Sequence, residues 1–217
     1  MTQGSAIVIG AGPGLGLALA RTFHDAGHPV ALLSRNEERL NRFVADLPGG
    51  EPVRAYGADI ADRDALRAAI ATAIDDLGAP EVLLYNAAVM RTDSPTEGDD
   101  ASWVNSFEVN VLGAKVAAEE VLRSMKDGGS LLFTGGGLAF APSPHYASLS
   151  VGKAGLRAYV HALAAEQAPN GVHATVVTIA GGIDGGQERF QSNVLAQAYL
   201  ELHQQDAADW KPELVRD

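Results

Sequence analysis

Four glycines fall within one short stretch, Gly10-Ala11-Gly12-Pro13-Gly14-Leu15-Gly16, directly after an apolar run and ahead of a helical pattern. Glycines in a strand-to-helix turn let a phosphate approach backbone amides at the positive end of the helix, so this turn predicts a pyrophosphate site. Its spacing is Gly10-x-x-x-Gly14-x-Gly16 and not GxGxxG, because position 15 is Leu15. A tight connection without a ligand is the alternative reading of such a turn. The second apolar run ends in Ser34-Arg35-Asn36. An acid there binds the ribose 2′-hydroxyl of NAD, whereas an arginine pairs with a 2′-phosphate, so NADP is the expected cofactor. Arg35 as a solvated loop residue is the competing reading.

The elements that must hold these groups are legible from hydrophobic periodicity. Apolar runs rich in Val, Ile and Leu predict strands at residues 6–9, 29–33, 53–56, 81–85, 130–134 and 172–179, with a last one at 213–216. Between them, helical patterns cover residues 15–26, 37–46, 63–77, 101–125 and 150–168. Leu66, Ile70, Ala73, Ile74 and Leu77 share one face of the third helix. Strands apolar throughout are buried on both sides, and strict strand–helix alternation marks a parallel sheet covered by helices. The expected fold is a single-domain α/β, Rossmann-type, doubly wound parallel sheet of about seven strands spanning residues 1–217. Residues 181–206 break the rhythm with Gly181, Gly182, Gly185 and Gly186 and are expected to form a small substrate-covering segment, with 187–205 helical.

Composition narrows the chemistry. The 217 residues are 47% hydrophobic and carry a formal charge of −11, which disfavours nucleic acid and anionic membranes as partners. There are no cysteines, and the six histidines show no ligand spacing, so no metal site is expected. The start of the chain lacks a secretion-signal pattern, and the longest uncharged stretch is rich in glycine, so the expected location is the cytoplasm.

From these residues onward the chain resembles the short-chain dehydrogenase/reductase family along nearly its whole length. The glycine turn, from Gly10 and Gly12 through Gly14, Leu15 and Gly16, matches that family's cofactor motif. Asp59-Ile60 resembles the pair beside the adenine ring, and Asn86-Ala87-Ala88 resembles the Asn-Ala-Gly segment beside the ribose. Asn110 matches the asparagine of the catalytic tetrad, and Lys153, in Gly152-Lys153-Ala154, matches its lysine. Ile183 stands where the family's backbone meets the nicotinamide carboxamide. The resemblance breaks at the other two tetrad positions: Leu149 stands where the tyrosine is expected and Gly136 where the serine is expected.

A proton donor would then have to come from elsewhere. Tyr146, seven residues before Lys153, and the adjacent His145 are candidates, each with the alternative of a loop aromatic or a solvated imidazole. Ser148 or Ser150 is expected to cap the following helix. Tyr199 and His203 lie four apart on the late helix and could face the pocket or pack ordinarily. The resemblance implies an NADP-dependent oxidoreductase that reduces a small carbonyl or related unsaturated substrate at an atypical site. The alternatives are a catalytically lapsed dinucleotide-sensing or interaction module and a non-redox isomerase or lyase. It also implies a homodimer or homotetramer built on the helices at 101–125 and 150–168.

Overall fold

The computed structural model describes residues 3–47 and 49–217. Seven parallel strands form one sheet: β1 (Ser5–Ile9), β2 (Val30–Ser34), β3 (Val53–Gly57), β4 (Pro80–Tyr85), β5 (Gly129–Thr134), β6 (Val172–Ile179) and β7 (Glu213–Arg216). Their spatial order is β3-β2-β1-β4-β5-β6-β7. The chain therefore winds outward in one direction from β1 to β3 and returns to wind outward in the other from β4 to β7. The reversal lies between β1 and β4, and a sheet of this kind opens a crevice at the carboxyl ends of the strands there.

Helices cover both faces. On one side lie α3 (Arg63–Leu77), α4 (Asp100–Phe107), α5 (Gly113–Ser124) and α6 (Ala147–Gln167); on the other lie α1 (Leu15–Asp25), α2 (Glu37–Ala45) and α7 (Ser192–His203). Alternate strand residues feed the two layers. Ile7, Ile9, Leu83 and Tyr85 meet Leu66, Ile70, Val121 and Val160, whereas Ala6, Val8 and Leu84 meet Leu19, Phe23 and Tyr199. Each fully buried apolar side chain of that size contributes about 1.5–3 kcal/mol, which is why β1 and β2 are apolar at nearly every position.

The expected helix at 101–125 is interrupted. A π-turn at Glu108–Leu112 separates α4 from α5, and the buried Tyr85 phenol donates to the Val109 carbonyl at 2.5 Å. Wider turns of this type free a carbonyl from the helical ladder. Helix α6 starts three residues earlier than the pattern at 150–168 predicts, and neither Ser148 nor Ser150 is its cap. The Asp93 carboxylate, from the loop after β4, accepts the Ser148 amide at 3.2 Å instead. Ser150 Oγ accepts the Ser143 amide at 3.1 Å and donates to the Tyr146 carbonyl at 2.8 Å. Within residues 181–206, Gly181–Asp184 border a cavity and α7 packs on α1. The helical reading of 187–205 resolves into a single 3-10 turn, Glu188–Phe190, followed by α7.

Candidate functional site

The glycine turn joins β1 to α1, and two of its glycines are dictated by close approach. Gly10 has φ of +85°, and a Cβ there would lie 2.5 Å from the Ala87 amide nitrogen. A Cβ at Gly16 would lie 2.6 Å from the Gly10 carbonyl, so Gly16 lets α1 pack on the turn and lines neither cavity described below. Gly12 has only the Gly10 carbonyl nearby, at 4.0 Å, which leaves its face open. No side chain caps the first turn of α1 behind Gly14, so its amides point toward the crevice with their positive dipole end.

A first cavity of about 420 Å³ runs from this turn along the end of β2. Gly10, Gly12, Ser34, Arg35, Asn36, Asp59, Ile60, Asn86 and Ala87 line it, so the structure gathers residues drawn from four separate strand ends. Arg39 lines it too, and sequence reasoning missed it. The signal was Asn36, whose side chain accepts the Arg39 amide at 2.8 Å and so fixes Arg39 on the first turn of α2. Ser34 Oγ and Arg39 Nε are buried without a hydrogen-bond partner. Arg35 is exposed and makes no ion pair among the described residues, while Glu38 nearby in sequence pairs with Arg42 at 2.5 Å. Unpartnered buried donors beside an exposed guanidinium fit an anion with several acceptor oxygens, as a 2′-phosphate has.

A second cavity of about 550 Å³ adjoins the first, and Asn86 lines both. Its wall is largely apolar, with Leu15, Met90, Leu138, Leu149, Ile179 and Ile183, together with the Gly135–Gly137 stretch. The polar groups reaching it are Asn86, Thr134, Lys153 and Asp184. Asp184 is also engaged at the start of α7, accepting from the Ser192 amide at 2.8 Å and its hydroxyl at 3.0 Å.

Lys153 sits on the second turn of α6 at 8% exposure, and its ammonium donates to the Thr134 carbonyl at 2.7 Å. Burial pulls its pKa down to about 8. A Cβ at Gly136 would meet the Lys153 methylenes at 3.6–3.7 Å, ordinary contact distance, so the glycine leaves space that a larger residue could fill. Leu149, one turn before Lys153, is buried on the same wall.

Asn110 lies in the π-turn, buried, and lines neither cavity. Its side-chain oxygen accepts the Val89 amide at 3.1 Å and its amide donates to Ser106 Oγ at 3.0 Å. It therefore ties the loop after β4 to α4, and Gly152 of α6 packs directly on its side chain. Tyr146 precedes α6 at 40% exposure and lines neither cavity, and His145 is exposed beside it. Neither lines the cavity that holds Lys153: Tyr146 stands at the N-cap of α6, with His145 one residue before it.

Tyr199 and His203 do not face the crevice from above. Tyr199 is fully buried beneath the sheet, with its phenol 2.8 Å from Thr134 Oγ1. His203 meets Ser130 Oγ at 3.0 Å at the amino end of β5, away from the cavities. Burial, then the neighbouring His28, pushes its imidazole down to about 4 despite Glu81.

Comparison with known proteins bears on this arrangement. Residues 5–188 match the family profile described as short chain dehydrogenase. The chain is 28% identical over 176 residues to the 2,3-dihydro-2,3-dihydroxybenzoate dehydrogenase of Bacillus subtilis, covering 80% of this chain and 67% of that protein. It is 32% identical over 180 residues to the glucose 1-dehydrogenase of Gluconobacter oxydans, covering 79% of this chain and 66% of that one. The chain thus spans about two thirds of the length of these relatives. A short-chain dehydrogenase from Rhodopseudomonas palustris superposes with a TM-score of 0.88 at 26% identity, over 99% of this chain and 98% of the other. A metagenomic short-chain oxidoreductase in complex with NADP superposes at 0.90 and 22% identity, over 99% and 97%, and shares the fold.

Proposed function

The chain belongs to the short-chain dehydrogenase family, whose members here are oxidoreductases, and from that premise we propose that it uses NADP to reduce a small carbonyl or related unsaturated substrate at an atypical active site. The observation that carries this reading is the pair of adjoining cavities that meet at Asn86, one ending in Arg35 and Arg39 and the other holding Lys153.

A reduced nicotinamide, when bound, supplies hydride to an electrophilic carbon; the remaining work falls to side chains of this chain. Arg35 and Arg39, with Ser34 Oγ, select the 2′-phosphate. Gly10, Gly12 and Gly14 admit the pyrophosphate to the start of α1. In a bound NADP, Asp59 and Ile60 would border the adenine, Asn86 and Ala87 the ribose, and Ile183 the carboxamide. Lys153 grips the nicotinamide ribose and places a positive charge where negative charge develops on the substrate oxygen. Leu149, Met90 and Leu138 keep the reacting centre apolar, which favours a small, weakly polar substrate. Neither tetrad hydroxyl acid is supplied by Leu149 or Gly136, and Tyr146 lies outside the cavity, so turnover is slow for the family.

That last point favours a second reading, a dinucleotide-sensing module whose redox role has lapsed. Calorimetric titration with NADPH and NADH, followed by a carbonyl panel with C4-deuterated NADPH, separates the two. Tight NADPH binding with deuterium in the alcohol product supports the reductase. Binding without label in any product supports the sensor, and absence of binding to either nucleotide sinks both.

The exposed apolar side chains Val104, Phe107 and Val151 on α4 and α6 support a homodimer or homotetramer through these helices. Sedimentation of a strict monomer would remove that assignment. Among the described residues no helix is long and apolar enough to cross a membrane, and a cytoplasmic location is part of the proposal.

A further inference from the structure

We propose that Tyr199 is a positioning residue of the dinucleotide site, acting through Thr134 from the opposite face of the sheet. The inference rests on the dinucleotide reading above and extends it to a residue that touches neither cavity.

Three hydrogen bonds run in one direction. The Asn86 amide nitrogen donates to the Gly10 carbonyl at 3.1 Å. A carbonyl can only accept, so this contact fixes which way the Asn86 amide is turned and points its oxygen at Thr134. Thr134 Oγ1 donates to that oxygen at 3.0 Å. A hydroxyl has one hydrogen, so the 2.8 Å contact between Thr134 Oγ1 and the Tyr199 phenol requires the phenol to be the donor. The result is a one-way chain, Tyr199 to Thr134 to Asn86 to Gly10, that begins on α7 and ends on the glycine turn. The backbone carbonyl of the same Thr134 receives Lys153. One residue at the end of β5 therefore holds both Asn86 and Lys153, and Tyr199 is the group that locks its side chain.

Packing alone does not account for the phenol. Tyr199 is wholly buried among Leu19, Phe23 and Leu195, where a phenylalanine would fill nearly the same space without a hydroxyl to desolvate. Burial pushes the phenol pKa up, so it remains a donor across the physiological range. Without that donor, Thr134 Oγ1 loses its one incoming hydrogen bond and is held only by its own bond to Asn86, so the Asn86 amide is less firmly aimed at the junction of the two cavities.

The test is a double-mutant cycle on NADPH affinity, read by calorimetry, with unfolding midpoints measured alongside. Tyr199→Phe is expected to weaken NADPH binding about three- to tenfold when Thr134 is present, the range expected for one lost buried hydrogen bond. It is expected to add nothing further in the Thr134→Val background, whereas Thr134→Ser, which keeps the hydroxyl, restores the dependence. Equal losses in both backgrounds, or no loss, overturn the inference while leaving the dinucleotide reading intact; a wild-type protein that binds neither nucleotide overturns both. A second measurement needs no ligand and no Thr134 variant: the Asn86 side-chain NH2 resonances should shift in nucleotide-free Tyr199→Phe, and unshifted resonances overturn the chain of hydrogen bonds itself.

Discussion

Lys153 delivers its ammonium to the backbone carbonyl of Thr134 at 2.7 Å, in a largely apolar cavity wall. The bond holds the lysine at the junction of α6 and β5 without any carboxylate to offset its charge. Burial consequently lowers its pKa from 10.5 to about 8. The unfolded chain binds that proton more tightly, so the folded state carries a penalty below pH 8 that is relieved as pH rises toward 10.5.

Lys153→Met is therefore expected to raise stability at pH 7 by about 1–3 kcal/mol, the burial penalty less the lost bond to Thr134. Urea unfolding at a series of pH values should show the gain shrinking as pH rises from about 8 to 10.5, the interval between the two pKa values. A gain independent of pH, or a loss at pH 7, contradicts the assignment.

If Arg35 and Arg39 bind the 2′-phosphate as proposed, Arg35→Ala and Arg39→Ala should each weaken NADPH binding by about tenfold or more and leave NADH within about twofold, because each would remove a charge-assisted bond that NADH lacks. The readout is paired calorimetry with the two nucleotides. Equal effects on both would move these arginines from recognising the 2′-phosphate to holding a feature common to the two.

Leu149→Tyr combined with Gly136→Ser should raise carbonyl reduction on the order of a hundredfold, the lower end of what a positioned acid contributes. The serine has room, since its Cβ would meet Lys153 at 3.6–3.7 Å with the backbone extended. The phenol would enter the cavity that Leu149 already lines. Steady-state rates of parent and double variant decide the matter, and a parent as fast as the variant shows that another group supplies the proton.

Asp93→Ala should cost about 1–2 kcal/mol, the usual effect of losing a helix cap, although Asp93 lies far from α6 in sequence. Burial raises the Asp93 pKa, but hydrogen bonds from Ser148 and the Ala147 amide, with Arg91 nearby, outweigh it and hold the carboxyl below its ordinary value of 3.8. The stabilisation is thus present above that ordinary value and lost as pH falls beneath it. Denaturation midpoints of the variant and the parent should converge in acid; a difference that persists there refutes the capping role.

The seven strands and the glycine turn follow from local sequence, because a strand buried on both sides must be apolar throughout and a turn closed against Ala87 and Gly10 must lack side chains, whereas Asn86 and Lys153 are legible only through the family resemblance. Contacts between segments distant in sequence set the rest. The break of the 101–125 helix depends on Tyr85 reaching the Val109 carbonyl, and the start of α6 depends on Asp93, neither of which leaves a mark in the helices' own periodicity. Arg39 enters the cavity through a cap at Asn36, and Tyr146 stands outside it at the N-cap of α6. The polar chain from Tyr199 to Gly10 joins four segments, so its existence is fixed by how α7 lies under β5 and not by any spacing along the chain.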